Sequence, residues 1–382
     1  MGQRSVFLAP RRRKLGGILK PFGWCLLPCF LGLGIIWLSR AAPPQTVEEV
    51  YSQHLFRWIS AVFGLLGRAA GPFSAAGLIL ALLALGLAAA LASLPILLWK
   101  RPRQRRKTAA YYLCGAVLLP SLILLLFAVT CAPNYSRPTF AEQSGLEIRP
   151  SSVDELTELC LSLLQRTNDA RDALGEQNTT GMSFSETSKR VQSAFHTLSS
   201  EYPFLGQPPI AAKPMIFSEI LSSFNLTGFY FPYTAEANVN VHMPDTELPF
   251  TIGHELAHTC GFMREDEANF IGYLACLRSD EPYIRYSGLY CALSYSMNAL
   301  YSVSPERYFA IRKHYHERLK ADAAALSAYW QPYFHTPAAK LSDAVNDTYL
   351  KANNLTDGVH SYGRMVDLLL AEARAEISDT AP

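Results

Sequence analysis

The segment with the clearest chemical potential is His254-Glu255-Leu256-Ala257-His258. Positions four apart lie on one face of an α-helix, so both imidazoles can bind the same metal ion. This spacing is typical of zinc sites in which the glutamate after the first histidine acts as general base on a zinc-bound water. The surrounding helix is mostly apolar, where two histidines and an acid without a partner would be costly. The spacing therefore predicts a zinc site with Glu255 as its catalytic base.

A catalytic zinc site needs a third protein ligand and an open position. Cys260 lies two residues after the motif, about 200° round a helix, and points away. The permanently charged Arg264 cannot bind zinc. Glu265 and Asn269 are four apart and share a helix face, so Glu265 is the favoured ligand and Asn269 the partner that orients a ligand histidine. Glu267 remains the alternative ligand.

The two motifs together, H-E-x-x-H and then E-x-x-A-N over Glu265–Asn269, resemble the gluzincin branch of zinc metallopeptidases. That resemblance implies a glutamate as third ligand and an asparagine that supports a histidine. The metzincin pattern would need a third histidine where Arg264 stands. The gap of six residues between His258 and Glu265 is short for a gluzincin, so Gly261 has to make a tight turn. The wider stretch 228–300 is similar to an uncharacterised bacterial family of membrane-anchored zincins of unknown function.

The resemblance also implies a substrate-binding edge strand just before the zinc helix. Residues 237–243, with the sequence ANVNVHM, occupy that place, although an ordinary sheet strand would have the same alternation. An oxyanion donor is needed as well, and Tyr286 is the candidate chosen among the tyrosines after the second motif. Aromatic core packing is the alternative for Tyr286.

Three long uncharged stretches predict transmembrane helices at about 21–39, 72–99 and 109–132, since each can cross a hydrocarbon core roughly 30 Å thick. Residues 47–68 form an amphipathic segment that fits either an interfacial helix or a surface helix packed on the spans.

Basic residues without acids cluster at 1–20 and 100–107. Both clusters adjoin apolar stretches, which argues against nucleic-acid binding and for cytoplasmic loops. The N-terminus is then cytoplasmic and residues 133–382 are extracytoplasmic in a multi-pass protein of the cell membrane. The first span could instead be a cleaved signal peptide, but its prolines and length favour an anchor.

The remaining chain has helical periodicity with two short strand-like segments, at 228–234 and 237–243. The predicted fold is α+β. A three-helix transmembrane anchor (1–132) is followed by a Pro-containing linker (133–150) and a helix-rich zincin-like domain with a small β-sheet (151–382). Cys276 and Cys291 are a candidate disulfide, with small buried thiols as the favoured alternative.

These features lead to one main functional hypothesis. The protein is expected to be a membrane-anchored zinc metallopeptidase that hydrolyses peptide bonds on the extracytoplasmic face, with the lipid bilayer and a peptide or protein as partners. The alternatives are a zincin-derived sensor or assembly protein without proteolysis, and a hydrolase of another amide such as a cell-wall peptide. Retention of Glu255 favours the hydrolases, because a purely structural zinc site needs no general base.

Overall fold

The computed structural model describes residues 16–176, 181–352 and 364–380. These residues are mostly helical, with one three-stranded sheet and three long apolar helices near the N-terminus, so the predicted α+β fold with an N-terminal anchor is confirmed. The helices before the sheet are α1 (Gly16–Ala41), α2 (Pro44–Thr46), α3 (Arg57–Ala69), α4 (Ala75–Lys100), α5 (Arg105–Thr130), α6 (Phe140–Ser144), α7 (Val153–Ala173) and α8 (Phe184–Glu201). A π-helical segment, Val47–Phe56, joins α2 to α3.

The sheet and its intervening helix are β1 (Lys213–Pro214), α9 (Ser218–Ser223), β2 (Gly228–Phe231) and β3 (Glu236–Val239). The helices after it are α10 (Leu248–Thr259), α11 (Glu265–Leu277), α12 (Pro282–Val303), α13 (Pro305–Arg312), α14 (Glu317–Trp330), α15 (Pro337–Ala352) and α16 (Arg364–Thr380).

One compact unit comprises Met1–Trp37 and Leu82–Val129. A β-carbon at Gly32 of α1 would lie 3.1 Å from the Leu125 Cα of α5, so this glycine permits close packing of the two helices. Among the described residues, the helical segments long and apolar enough to cross a membrane are Phe22–Ala41, Ala75–Lys100 and Pro102–Thr130, close to the three predicted spans.

The second compact unit comprises Leu38–Ala81 and Thr130–Pro382. Its sheet has the order β1-β3-β2, with β3 parallel to β1 and antiparallel to β2. Every residue of β3 is buried. The prediction that 237–243 forms an edge strand is therefore wrong, because β3 is paired on both sides and β2 lies at the edge. Cys276 and Cys291 are both buried free thiols.

Residues 38–81, which the sequence assigned to the anchor, pack against the rest of the second unit through buried polar groups. The Arg137 guanidinium forms two hydrogen bonds of 2.7 Å with the Glu48 carboxylate, and Ser52 Oγ donates to Asn134 Oδ1 at 2.9 Å. Phe140 is fully buried. The stretch 133–150 was predicted as a linker. Its N-terminal half instead packs into the second unit, because Arg137 and Phe140 contact residues distant in sequence.

The amphipathic segment predicted at 47–68 is helical and buries one face in the second unit, through Phe56 and Ile59 among others. Its opposite face keeps large apolar side chains exposed, including Trp58, Leu65 and Leu66. An interfacial helix needs such an exposed apolar face, so the structure remains compatible with that hypothesis for this segment.

The start of α4 is tied to the central strand. Both carboxylate oxygens of Glu236 accept backbone N–H groups at the α4 N-terminus, from Ala75 at 3.1 Å and Ala76 at 2.8 Å. Ser74 Oγ donates to Asn238 Oδ1 at 2.6 Å. A negative charge at a helix N-terminus is stabilising, and here it also satisfies N–H groups that the helix leaves unpaired.

The Glu48–Arg137 pair yields a first prediction. Glu48→Ala leaves a buried guanidinium without its counter-charge, so we expect the free energy of unfolding to fall by about 3–5 kcal/mol. Thermal unfolding of the full chain in detergent measures this loss. The neighbouring Glu49→Ala is the matched control, because the Glu49 side chain is exposed and its partner among the described residues is Gln45, at 3.2 Å. Equal stability of the two variants would contradict a structural role for the pair.

Candidate metal centre

The H-E-x-x-H motif lies in α10, and a tight turn connects it to α11. Gly261 has a φ of +90°, a conformation that favours glycine. Its missing side chain also leaves room for its neighbours, since a β-carbon there would lie 3.1 Å from Phe56 and from Asn134. The turn predicted at Gly261 is therefore present, and it reverses the chain within the six-residue gap.

Two glycines let α10 and α11 cross at backbone contact. A β-carbon at Gly272 would lie 2.9 Å from the backbone nitrogen of His254, and one at Gly253 would lie 3.1 Å from the Gly272 Cα. Glu265, Asn269 and Gly272 follow an i, i+4, i+7 pattern, so the face of α11 that touches α10 also carries the acid and the amide. Sequence reasoning missed this crossing. The available signal was a glycine in the interior of each helix.

The predicted ligand atoms meet at one point. His254 Nε2 lies 3.1 Å from His258 Nε2 and 3.2 Å from Glu265 Oε2, and His258 Nε2 lies 3.8 Å from Glu265 Oε1. Zinc ligands at roughly 2.0–2.1 Å in tetrahedral geometry are about 3.3 Å apart. Among the described residues, His254, His258 and Glu265 thus form a cluster of potential ligands that could hold a metal ion.

Hydrogen bonds fix the orientation of both rings. His254 Nδ1 lies 2.8 Å from Asn269 Oδ1, and His258 Nδ1 lies 2.6 Å from the carbonyl oxygen of Phe262. An oxygen acceptor requires a proton on each Nδ1, so in the neutral rings each Nε2 presents a lone pair. Two lone pairs that face each other cannot form a hydrogen bond, whereas a cation between them binds both. Asn269 thus has the contact predicted for it.

Glu255 is buried beside the ligands with one carboxylate oxygen unused. Its Oε2 has no hydrogen-bond partner among the residues that the structure describes. Its Oε1 approaches β2 so closely that a β-carbon at Gly228 would lie 2.6 Å from it. An unpaired buried acceptor is costly, which is typical of a group that works on water or substrate.

The electrostatics separate the roles of the four titratable groups. Burial lowers the pKa of His254, but the hydrogen bond and charge of Glu265 outweigh it and raise the pKa of His254 to about 9. Burial lowers the pKa of His258 to about 4 and raises the pKa of Glu255 to about 8. Burial would raise the pKa of Glu265 too, but the His254 hydrogen bond and both imidazoles hold it below its usual value. Glu265 is thus the carboxylate that these neighbours keep ionised, as a ligand must be.

Glu267, the alternative ligand, is used elsewhere. Its Oε1 accepts the backbone N–H of Phe140 at 2.8 Å and lies 3.7 Å from Arg264 Nη1. The favoured assignment of Glu265 therefore agrees with the geometry, and Glu267 instead joins the first turn of α11 to the start of α6.

The placement of Tyr286 corrects its predicted role as oxyanion donor. Its hydroxyl donates to Asp322 Oδ2 at 2.6 Å, and the same oxygen accepts from Arg171. Tyr286 does not line the cavity beside the ligands, whereas Tyr230 of β2 does. The ring centroid of Tyr230 lies 6.4 Å from that of His258. The sequence analysis missed Tyr230 because the tyrosines it considered were those after the second motif.

The ligands open into a cavity of about 800 Å³. It is bounded by β2 and the loop before it, by one face of α10, by α12 and by α15. The side chains of α10 and its preceding residue that line it recur at helical spacing: Glu247, Phe250, Thr251, His254, Glu255 and His258. Such a mostly apolar concave site with a few polar groups is the usual form of a ligand-binding site.

The ligand assignment yields a second prediction. Glu265→Gln removes a ligand charge, so zinc affinity should fall by at least the roughly 10–100-fold that loss of an outer-shell partner costs. Glu267→Gln is the matched control and should retain zinc. Metal content after dialysis against a chelator, followed by zinc titration, measures both. If Glu267→Gln alone loses the metal, the third ligand is not Glu265.

The raised pKa of His254 yields a third prediction. Below about pH 9 the imidazole holds a proton that a metal ion must displace, so apparent zinc affinity should rise with pH. Displacement of one proton corresponds to a tenfold gain per unit, or about 100-fold between pH 6 and pH 8. Zinc titrations against a competing chelator at several pH values measure the slope. A flat profile would contradict binding through His254.

Comparison with known proteins places the chain in a family. No curated protein and no solved structure matches it. A family model described as "Protein of unknown function (DUF3810)" matches residues 51–370. This match includes α3 to α15, the whole sheet and all the candidate ligands. The chain therefore belongs to the DUF3810 family of proteins of unknown function.

Proposed function

We propose that the protein is a membrane-anchored zinc metallopeptidase. The observation that carries the proposal is the triangle of His254, His258 and Glu265 beside a fourth group, Glu255, which lines the same cavity and has a carboxylate oxygen without a hydrogen-bond partner among the described residues. A structural zinc site has four protein ligands and no base, whereas three ligands with an adjacent acid match a hydrolytic site.

His254, His258 and Glu265 would hold the zinc ion. When bound, zinc supplies a Lewis acid that brings the pKa of water to roughly 7 and polarises a carbonyl. Glu255 performs the proton transfers: its Oε2 takes the proton of the attacking water and gives it to the leaving nitrogen as the C–N bond breaks. Asn269 and the Phe262 carbonyl keep the histidine rings oriented throughout.

Peptide recognition fits the edge strand β2. Gly228, Phe229 and Tyr230 line the cavity, and β2 pairs with β3 on its other side. An extended substrate can add to a sheet edge through main-chain hydrogen bonds. Gly228 suits such a close approach, because any side chain there would collide with Glu255. We assign the oxyanion-donor role to Tyr230 in place of Tyr286.

The proposed location is the outer face of the cell membrane. Basic residues between the second and third apolar helices, at 100–107, indicate a cytoplasmic loop. The chain after the third apolar helix would then be extracytoplasmic. The exposed apolar face of α3 fits the bilayer interface. Proteolysis would then occur close to the outer membrane surface.

The fourth prediction concerns Glu255. Glu255→Gln removes the base but no ligand, so we expect cleavage of casein or a peptide mixture to fall by about 10²–10⁴-fold. Zinc content, measured on the same full-length preparation in detergent, should stay at the wild-type level.

Three outcomes separate the hypotheses. Loss of cleavage with zinc retained supports the peptidase. Undiminished cleavage in Glu255→Gln contradicts the role of Glu255. Zinc in the wild type without cleavage of any peptide contradicts the peptidase and indicates that the metal serves binding or assembly.

A further inference from the structure

The cavity continues along α10 well beyond the metal ligands. Glu247 precedes α10 and lines the same cavity as His254, seven residues later. A rise of 1.5 Å per residue places the two positions about 10 Å apart along the helix axis. The cavity therefore has a metal end and a second, distal end.

The distal end contains a carboxylate without a partner. Glu247 makes no side-chain hydrogen bond to the first turn of α10, although it stands at the capping position. Within the described part of the chain its carboxylate forms neither a hydrogen bond nor an ion pair. Burial raises the pKa of Glu247 to about 7. A partly buried carboxylate without a partner destabilises the fold unless a ligand supplies a hydrogen bond or a positive charge.

α12 supplies polar groups to the same cavity. Cys291, Ser294, Tyr295 and Asn298 line it and follow the i, i+3, i+4, i+7 spacing of a single helix face. The serine hydroxyl and the asparagine amide oxygen are acceptors that an ammonium or guanidinium group can use.

The distal end of the cavity carries negative charge only. Its acid is Glu247, no lysine or arginine occurs among the described residues that line the cavity, and the imidazole that can hold a proton, His254, lies at the metal end. A low-dielectric cleft lined by one sign of charge concentrates ligands of the opposite sign. Zinc held by His254 would offset the charges near that end, but about 10 Å of helix would separate it from Glu247, too far for a counter-ion.

We propose that Glu247 forms a subsite for a positively charged group of the substrate, in a cavity that the polar face of α12 also lines. This inference rests on the proposed function, and it adds a substrate class: peptides with a lysine, an arginine or a free amino terminus near the scissile bond. An extended chain rises about 3.3 Å per residue, so a distance of 10 Å corresponds to a cation within three residues of the cleaved bond.

The competing explanation is an ordinary acid at a helix N-terminus, stabilised by the helix dipole. It predicts that removing the charge changes stability slightly and peptide preference not at all. The subsite hypothesis instead predicts that removing the charge changes the relative affinity for cationic and neutral peptides.

The fifth prediction therefore uses binding, which does not require cleavage. In full-length Glu255→Gln protein in detergent at about pH 8, fluorescence anisotropy compares labelled peptides in which lysine is replaced by norleucine or arginine by citrulline. We expect tighter binding of the cationic peptides, and Glu247→Gln should reduce the cationic-to-neutral affinity ratio by about 10–100-fold, the range for a lost charged hydrogen bond. Glu158→Gln is the matched control, since this exposed acid of α7 lies outside the cavity.

The outcomes are distinct from those of the function test. An equal affinity ratio in Glu247→Gln and Glu158→Gln overturns the subsite, whether or not the wild type cleaves peptides. A ratio that collapses only in Glu247→Gln supports the subsite, even if cleavage is never seen and the peptidase proposal fails. The absence of any cationic preference before substitution also overturns it.

Discussion

The backbone contact between Gly253 and Gly272 is the constraint on which the candidate site depends. A six-residue gap is too short to bring Glu265 to the histidines unless the two helices cross without side chains between them. The crossing places the α11 face that holds Glu265 and Asn269 directly over the histidine face of α10. The ligand distances of 3.1 and 3.2 Å follow from this approach, and so does the hydrogen bond between Asn269 and His254.

A second constraint connects the site to the segment between the first two apolar helices. Arg137 holds Glu48 with two hydrogen bonds, donates to the Cys260 carbonyl at 3.4 Å and lies 4.0 Å over the Phe262 ring. The Phe262 carbonyl in turn accepts from His258. A buried ion pair is weak evidence for net stability, but it fixes geometry where its partners have no alternative. The segment between the first two apolar helices is thus part of the support for the candidate metal ligands.

The sequence could predict those features of the site that are local. Helical spacing alone relates His254 to His258 and Glu265 to Asn269, and a glycine at 261 marks the turn. The features it could not predict depend on contacts distant in sequence. Strand order decides that β2, and not β3, is the edge. Which face of α12 meets the cavity depends on packing against α7 and α11, and on the opposite side Tyr286 bonds to Asp322 of α14. Arg137 and Phe140 were assigned to a linker because their contact partners lie far away in the sequence.

The buried carboxylates fall into two classes, those with hydrogen-bond partners in the fold and those without. Glu236 and Glu267 are also buried, but backbone N–H groups satisfy them, so they serve the fold. Glu265 is held ionised by two imidazoles. Burial raises the pKa of Glu255 and of Glu247, and at Glu255 the charge of His254 offsets this only in part. Groups that cost stability without a structural return are concentrated at functional sites. Both of these acids face one cavity at opposite ends of an α10 face, so the missing partners are best supplied by a single extended ligand.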